Sequence, residues 1–255
     1  MPQPMGFGAT PSSSQEQKLL LIASIAQAEK VDGLADYVSG ADAFLLPIHE
    51  LSSVNHVLPL ETSGDSNIDI PWGNWFPSTA RSDIVKTEIK HLMKIGCDFL
   101  VFSATNTPLA IPQDAKVGKI LQIEASLDDG LLRAINDLPI DAVLLASERE
   151  EGYFLTWHHL MLFQHFANLL TKPLLASIPS KVTAEELQFL WEAGVKGVSA
   201  SVGPKYPTVA LNKLRQTIDK LTFPTPRKRS KAEALLPYIN GEGKTVTETE
   251  RDDEE

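Results

Sequence analysis

Short, continuous apolar blocks separated by amphipathic stretches organise the chain. The blocks are LLLIAS (19–24), AFLLPI (43–48), FLVFSA (99–104), KILQIEA (119–125), AVLLAS (142–147), PLLASI (173–178) and GVSASV (197–202). They do not alternate apolar with polar positions, which is the pattern of parallel strands covered on both faces. A weaker block, HVLPLE (56–61), is interrupted by Pro59 and is expected to supply an eighth strand.

Between the blocks lie helical periods. In TAEELQFLWEAGV the apolar residues Leu187, Leu190 and Trp191 fall at i, i+3 and i+4, one face of a helix. Thr183 with Glu186 three positions on forms a capping box, and Gly194 suits the left-handed position that ends a helix. The phrases SGADAFLLPI (39–48), IGCDFLVFSA (95–104), LPIDAVLLAS (138–147) and EAGVKGVSAS (192–201) repeat this helix end, turn and strand. Repeated βα units imply a right-handed parallel sheet. With a last helix at TVALNKLRQTIDKL (208–221), the expected architecture is a (β/α)8 barrel. An open doubly wound sheet is the alternative, but neither GxGxxG nor GxxxxGK[ST] occurs, which weighs against dinucleotide and P-loop folds.

Length fits one such domain: the chain has 255 residues, 43% of them hydrophobic. The expected organisation is a disordered N-terminus (1–16), a barrel domain (17–223), and a basic linker with an acidic, disordered tail (224–255). The net charge of −10 owes half its value to residues 242–255, which hold seven acids and two bases. The PRKRSK cluster (226–231) reads as solvated linker, and no interleaving of aromatic and basic residues in the folded part points to nucleic acid. The apolar run LLLIASIA (19–26) is too short to span a bilayer, and no signal-like leader is visible. A single cysteine, Cys97, cannot form an internal disulfide. A cytoplasmic location is therefore expected, with Cys97 a buried structural thiol.

In a barrel the chemistry sits at the C-terminal ends of the strands. Those positions hold Ser24, His49, Glu50, Ser103, Thr105, Glu124, Ser147, Glu148, Ser177 and Ser201, with Glu150 just beyond. Glu124 stands out, because a carboxylate closing an apolar strand needs a partner, a proton or a metal if it is buried. His49 and Glu50 are the candidate proton-transfer residues. WHHLMLFQHFANLL (157–170) holds three histidines, but not at the four-residue spacing of helical zinc pairs. This apolar helix, around 154–170, is instead expected to pack on the barrel or to join two copies in a homo-oligomer. PWGNWFPSTAR (71–81) reads as a long aromatic loop, a lid or a plug for one barrel end.

The stretch KILQIEASLDDGLLRAINDLPIDAVLLASEREE (119–151), with GADAFLLPIHE (40–50), resembles the HpcH/HpaI aldolase and citrate lyase β-subunit family of (β/α)8 barrels. The resemblance implies a lyase or aldolase acting on a small oxo acid, a small-molecule substrate chelated by a divalent metal, magnesium or manganese. The family's first metal ligand maps onto Glu124. Its second is an aspartate, for which Glu148 or Glu150 stands closest. His49 would move the proton, while His49 and Glu50 occur in the reverse of the family's order. The family's substrate-binding arginine has no counterpart, since the first arginine is Arg81. That absence supports a second expectation, a barrel that binds or scaffolds without catalysing.

Overall fold

The computed structural model describes residues 18–25, 34–46, 70–76, 82–109, 117–146, 154–179, 181–202 and 208–222. Eight parallel strands form a closed barrel in chain order. They are β1 (Leu20–Ile25), β2 (Ala43–Leu46), β3 (Trp72–Trp75), β4 (Phe99–Ser103), β5 (Gly118–Ile123), β6 (Ala142–Leu145), β7 (Leu174–Ile178) and β8 (Val195–Val202). The helices are α1 (Leu34–Val38), α2 (Ser82–Lys94), α3 (Asp129–Ala134), α4 (Trp157–Leu169), α5 (Ala184–Glu192) and α6 (Thr208–Lys220). The sheet closes where β8 pairs with β1 over Leu20–Ile25. Closure rules out the open doubly wound sheet, and all seven clear apolar blocks are strands.

The weaker eighth assignment fails. The third strand is Trp72–Trp75, inside the segment read as an aromatic loop, and it pairs Leu45 with Gly73 on one side and Gly73 with Phe99 on the other. The barrel closes without residues 56–61, which lie outside the described residues. Trp-Gly-Asn-Trp between two prolines lacks the β-branched run expected of a strand, because glycine and asparagine disfavour strands. The neighbouring strands override that weak local preference. The expected tails at 1–16 and 224–255 also fall outside the described residues.

Two apolar layers result from the strand alternation. Ile22, Leu45, Val101, Ile120, Leu144 and Leu175 fill the barrel interior, with Ala43, Trp75, Phe99 and Ala142 packed on them. The opposite strand faces (Leu21, Ala23, Phe44, Leu100, Leu121, Val143, Ala176, Val198) meet the helices in the larger outer cluster. Helix α5 contributes Leu187, Leu190 and Trp191 to that cluster, and its capping box closes with Thr183 N–H donating to the Glu186 carboxylate at 2.7 Å. Cys97 is buried in the same layer. Burial pushes its thiol up to about 12, so it stays protonated and structural.

The repeated phrase has a mechanical meaning. Gly40, Gly96 and Gly194 all take positive φ, turning the chain from a helix into β2, β4 and β8. After the turn, an aspartate ties the incoming strand to the one before it. The Asp42 carboxylate accepts from Leu21 N–H at 2.8 Å, Asp98 from Trp72 N–H at 3.0 Å, and Asp141 from Lys119 N–H at 2.7 Å. Each aspartate's own N–H donates back to the same residue's carbonyl, at 2.8, 2.9 and 2.8 Å respectively. Three two-way clamps thus satisfy backbone groups near the N-terminal end of the barrel, the end associated with stability. The fourth copy has Lys196 in place of aspartate, lying 4.4 Å over the Trp191 ring. Asp42 is further held by Arg215 of α6 at 3.0 Å, and Arg215 holds Asp219 below the usual carboxylate range.

Candidate functional site at the barrel mouth

Because alternate residues of each strand share a face, the interior cluster determines which side chains face inward at the opposite, C-terminal end. Above Ile22 on β1 comes Ser24; above Val101 on β4, Ser103; above Ile120 on β5, Gln122 and then Glu124; above Leu144 on β6, Ala146. Leu175 on β7 is followed by Ser177, and Gly197 on β8, whose added Cβ would meet Leu20 and Leu175, by Ser199 and Ser201. Register sets these side by side: Ser24 with Ser201, Ser177 with Ser199, and Ser103 with Gln122. The mouth is therefore a hydroxyl-lined cup on an apolar floor. Glu124, directly after β5, is an exposed carboxylate at this end of the barrel.

Glu124 is solvent-exposed, which corrects the expectation of a buried carboxylate in need of compensation. Leaving β5 at its last residue, Ile123, lifts Glu124 onto the rim, and its carbonyl accepts from Leu127 N–H at 3.3 Å in the turn toward α3. His49, Glu50, Glu148 and Glu150 lie outside the described residues, so the expected carboxylate pair is represented by Glu124 alone. Among the described residues no three of His, Cys, Asp and Glu come together as a metal-holding group. Carboxylates suit magnesium and manganese; the other expected ligands, Glu148 and Glu150, lie outside the described residues.

The three histidines of α4 do separate jobs. His159 Nδ1 accepts from Thr156 N–H at 3.1 Å, closing a capping box in which histidine replaces the usual Glu or Gln. His165 Nε2 meets Asp129 of α3 at 2.9 Å. His158 lies beside His159, with ring centroids 6.3 Å apart. They are not gathered toward one point, in keeping with their spacing. Asn136 supports the other end of the helix, donating to the Leu169 carbonyl at 2.9 Å and accepting from Thr171 N–H at 2.8 Å.

Sequence reasoning placed Glu124 and Ser201 at strand ends but missed Gln122 and Ser199, which lie two residues before them. Counting back by two from each strand end would have found both. Trp75, assigned to a loop, is an inward residue of β3 packed on the interior cluster.

No family model matches the chain, and no curated protein matches it. The resemblance to the aldolase and citrate lyase β-subunit family therefore rests on the quoted residues alone. Solved structures do match. A mutant tryptophan synthase α-subunit from Pyrococcus furiosus is 11% identical over 80% of this chain and 98% of that one, with a TM-score of 0.57. Orotidine 5′-phosphate decarboxylase from Pyrococcus horikoshii is 8% identical over 79% of this chain and 100% of that one, with a TM-score of 0.55. The fold is a TIM barrel. Identities this low establish the fold and leave the chemistry to the site. Among the described residues no helix is long and apolar enough to cross a membrane.

Proposed function

We propose that the chain is a barrel enzyme that holds a small oxo compound in its C-terminal cup and breaks a carbon–carbon bond beside the carbonyl. The observation that carries this reading is the position of Glu124, an exposed carboxylate directly after β5 at the C-terminal end of the barrel. In this scheme Glu124 takes the hydroxyl proton of a β-hydroxy carbonyl substrate. The bond between the carbinol carbon and the α-carbon breaks, its electron pair passes to the carbonyl oxygen as an enolate, and the carbinol carbon leaves as an aldehyde. A proton then returns to the α-carbon. Magnesium or manganese would help stabilise the enolate if Glu148 or Glu150 joined Glu124 as ligand.

The test is aldehyde release from a panel of β-hydroxy carbonyl compounds, acidic and neutral, with and without millimolar magnesium or manganese. Glu124→Gln should lower turnover by roughly 10²-fold or more while leaving the melting temperature in metal-free buffer unchanged, because the side chain is exposed. Metal should raise the melting temperature of the native protein but not that of Glu124→Gln. Turnover unaffected by the substitution would sink the reading. A second reading, a binding barrel without catalysis, is favoured by the small hydroxylic residues at the strand ends, Ser24, Ser103, Ser177 and Ser201. It predicts ligand binding with no aldehyde released.

The proposal includes a second copy of the chain. Phe154, Trp157 and Met161 are 72%, 73% and 67% exposed, and Trp157 lies 6.0 Å from the ring of Phe189 on α5. The α4 sequence WHHLMLFQHFANL contains no Asp, Glu, Lys or Arg, so two such faces can meet without charge repulsion despite the acidic chain. Sedimentation velocity should show a dimer that Trp157→Glu converts to a monomer. A monomeric native protein at tens of micromolar would refute this part.

A further inference from the structure

We propose that His159 is a pH-sensitive latch for the start of α4: the neutral ring closes the first turn, and the protonated ring opens it.

Two helices begin with the same device, made from different chemistry. At α5, Thr183 N–H donates to the Glu186 carboxylate at 2.7 Å, and Glu186 N–H donates back to Thr183 Oγ1 at 3.2 Å. At α4, Thr156 N–H donates to His159 Nδ1 at 3.1 Å, and His159 N–H donates back to Thr156 Oγ1 at 3.4 Å. The first helical bonds match as well: Leu187 N–H to the Thr183 carbonyl and Leu160 N–H to the Thr156 carbonyl, both at 3.1 Å. The two acceptors fail at different pH. A glutamate keeps accepting until it is protonated, ordinarily at about pH 4.3. An N–H group can donate only to an unprotonated ring nitrogen, so the bond requires the neutral His159 tautomer with its proton on Nε2. An imidazole ordinarily gains its second proton at about pH 6.5.

Protonation acts against the turn in two ways. The new Nδ1–H points at Thr156 N–H. The Thr156 hydroxyl, 2.8 Å from Nδ1, can accept this proton by turning its own away, but Thr156 N–H then loses its acceptor in the box. An imidazolium in the first turn also stands at the positive end of the helix, where a cation is unfavourable. Both effects have one sign. The bond favours the neutral ring, so its contribution is full above the imidazole range and is lost as pH falls through it. His158 is the titratable neighbour, with ring centroids 6.3 Å apart, and its protonation adds a like charge. From α3, Asp129 reaches α4 at His165, Asp128 caps its own helix, and Arg133 is exposed. From α5, Phe189 meets Trp157, Glu186 is held by Thr183 and Glu192 by Gln188, and Glu185 is exposed. Strand β7 has no titratable side chain, and Lys196 of β8 lies over Trp191.

The latch bears on the second copy proposed above, and this consequence rests on that reading. Trp157 is the first residue of α4 and Met161 lies one turn later, both exposed. The face offered to the second copy therefore begins on the latched turn, and opening that turn weakens the dimer.

Amide hydrogen exchange on the full chain tests the latch at Leu160, with Leu187 as the matched control. Protection factors are compared, because they remove the intrinsic effect of pH on exchange. Between about pH 7.5 and about pH 5.5, protection at Leu160 should fall roughly tenfold, the worth of a helix cap, while Leu187 stays constant. His159→Gln restores a usual capping-box residue and should keep Leu160 protected at both pH values. His165→Gln should respond as the native protein does. Equal Leu160 protection at both pH values would overturn the latch, as would a His159→Gln protein that loses protection like the native one. Sedimentation velocity at the same two pH values separates the latch from the dimer. Dissociation at the lower pH in the native protein, but not in His159→Gln, supports both. A monomer at both pH values with the Leu160 response intact keeps the latch and discards the dimer. A dimer at both with no Leu160 response keeps the dimer and discards the latch.

Discussion

Gly73→Ala is expected to destabilise the barrel by about 1–3 kcal/mol, although it adds a single methyl group. A Cβ built at Gly73 would lie 2.2, 2.3 and 2.7 Å from Cε2, Cδ2 and Cζ of Phe99, inside any tolerable contact. The ring packs on the interior cluster. Register places Gly73 directly beside Phe99 and Phe99 beside Gly118, whose own added Cβ would approach the Phe99 Cβ to 3.1 Å. Alanine at 73 must therefore push the ring out of the interior cluster or spread β3 from β4. Urea unfolding measures the loss, and Phe99→Leu made in the Gly73→Ala background should recover part of it, because the two sites couple. Wild-type stability of Gly73→Ala would show that the Phe99 ring does not sit over Gly73.

The three aspartate clamps are the second target. Removing the Asp98 carboxylate leaves Trp72 N–H without its acceptor, a cost of about 1–3 kcal/mol. Asp98→Asn, which keeps an acceptor oxygen, should lose less than Asp98→Ala. The clamps tie different strand pairs, so their losses should add. Replacing Asp42, Asp98 and Asp141 together by alanine should then remove about 3–9 kcal/mol, comparable with the whole stability of a domain, about 5–15 kcal/mol. The triple variant should unfold at a clearly lower urea concentration than the native protein, followed by circular dichroism. A cooperative transition near that of the native protein would mean that water replaces the carboxylates at little cost.

Apolar blocks, helix caps and glycine stops made most of the barrel readable along the chain. A parallel strand buried on both faces has to be apolar throughout, and a helix end has to satisfy its own amides, so Thr183 with Glu186 announces a cap wherever α5 finally sits. Those requirements are local, and the sequence by itself determined seven strands, the α5 cap and the fold class. Pairing is not local. Trp72–Trp75 becomes a strand only because β2 and β4 offer it backbone partners and Phe99 fills the space over Gly73. The repeated aspartates look like turn residues until closure brings Leu21, Trp72 and Lys119 within reach of their carboxylates. Whether a residue faces the interior depends on the register around all eight strands. Tertiary structure alone therefore gathered Gln122, Ser199 and Trp75 into the cup and set Glu124 in water at its rim.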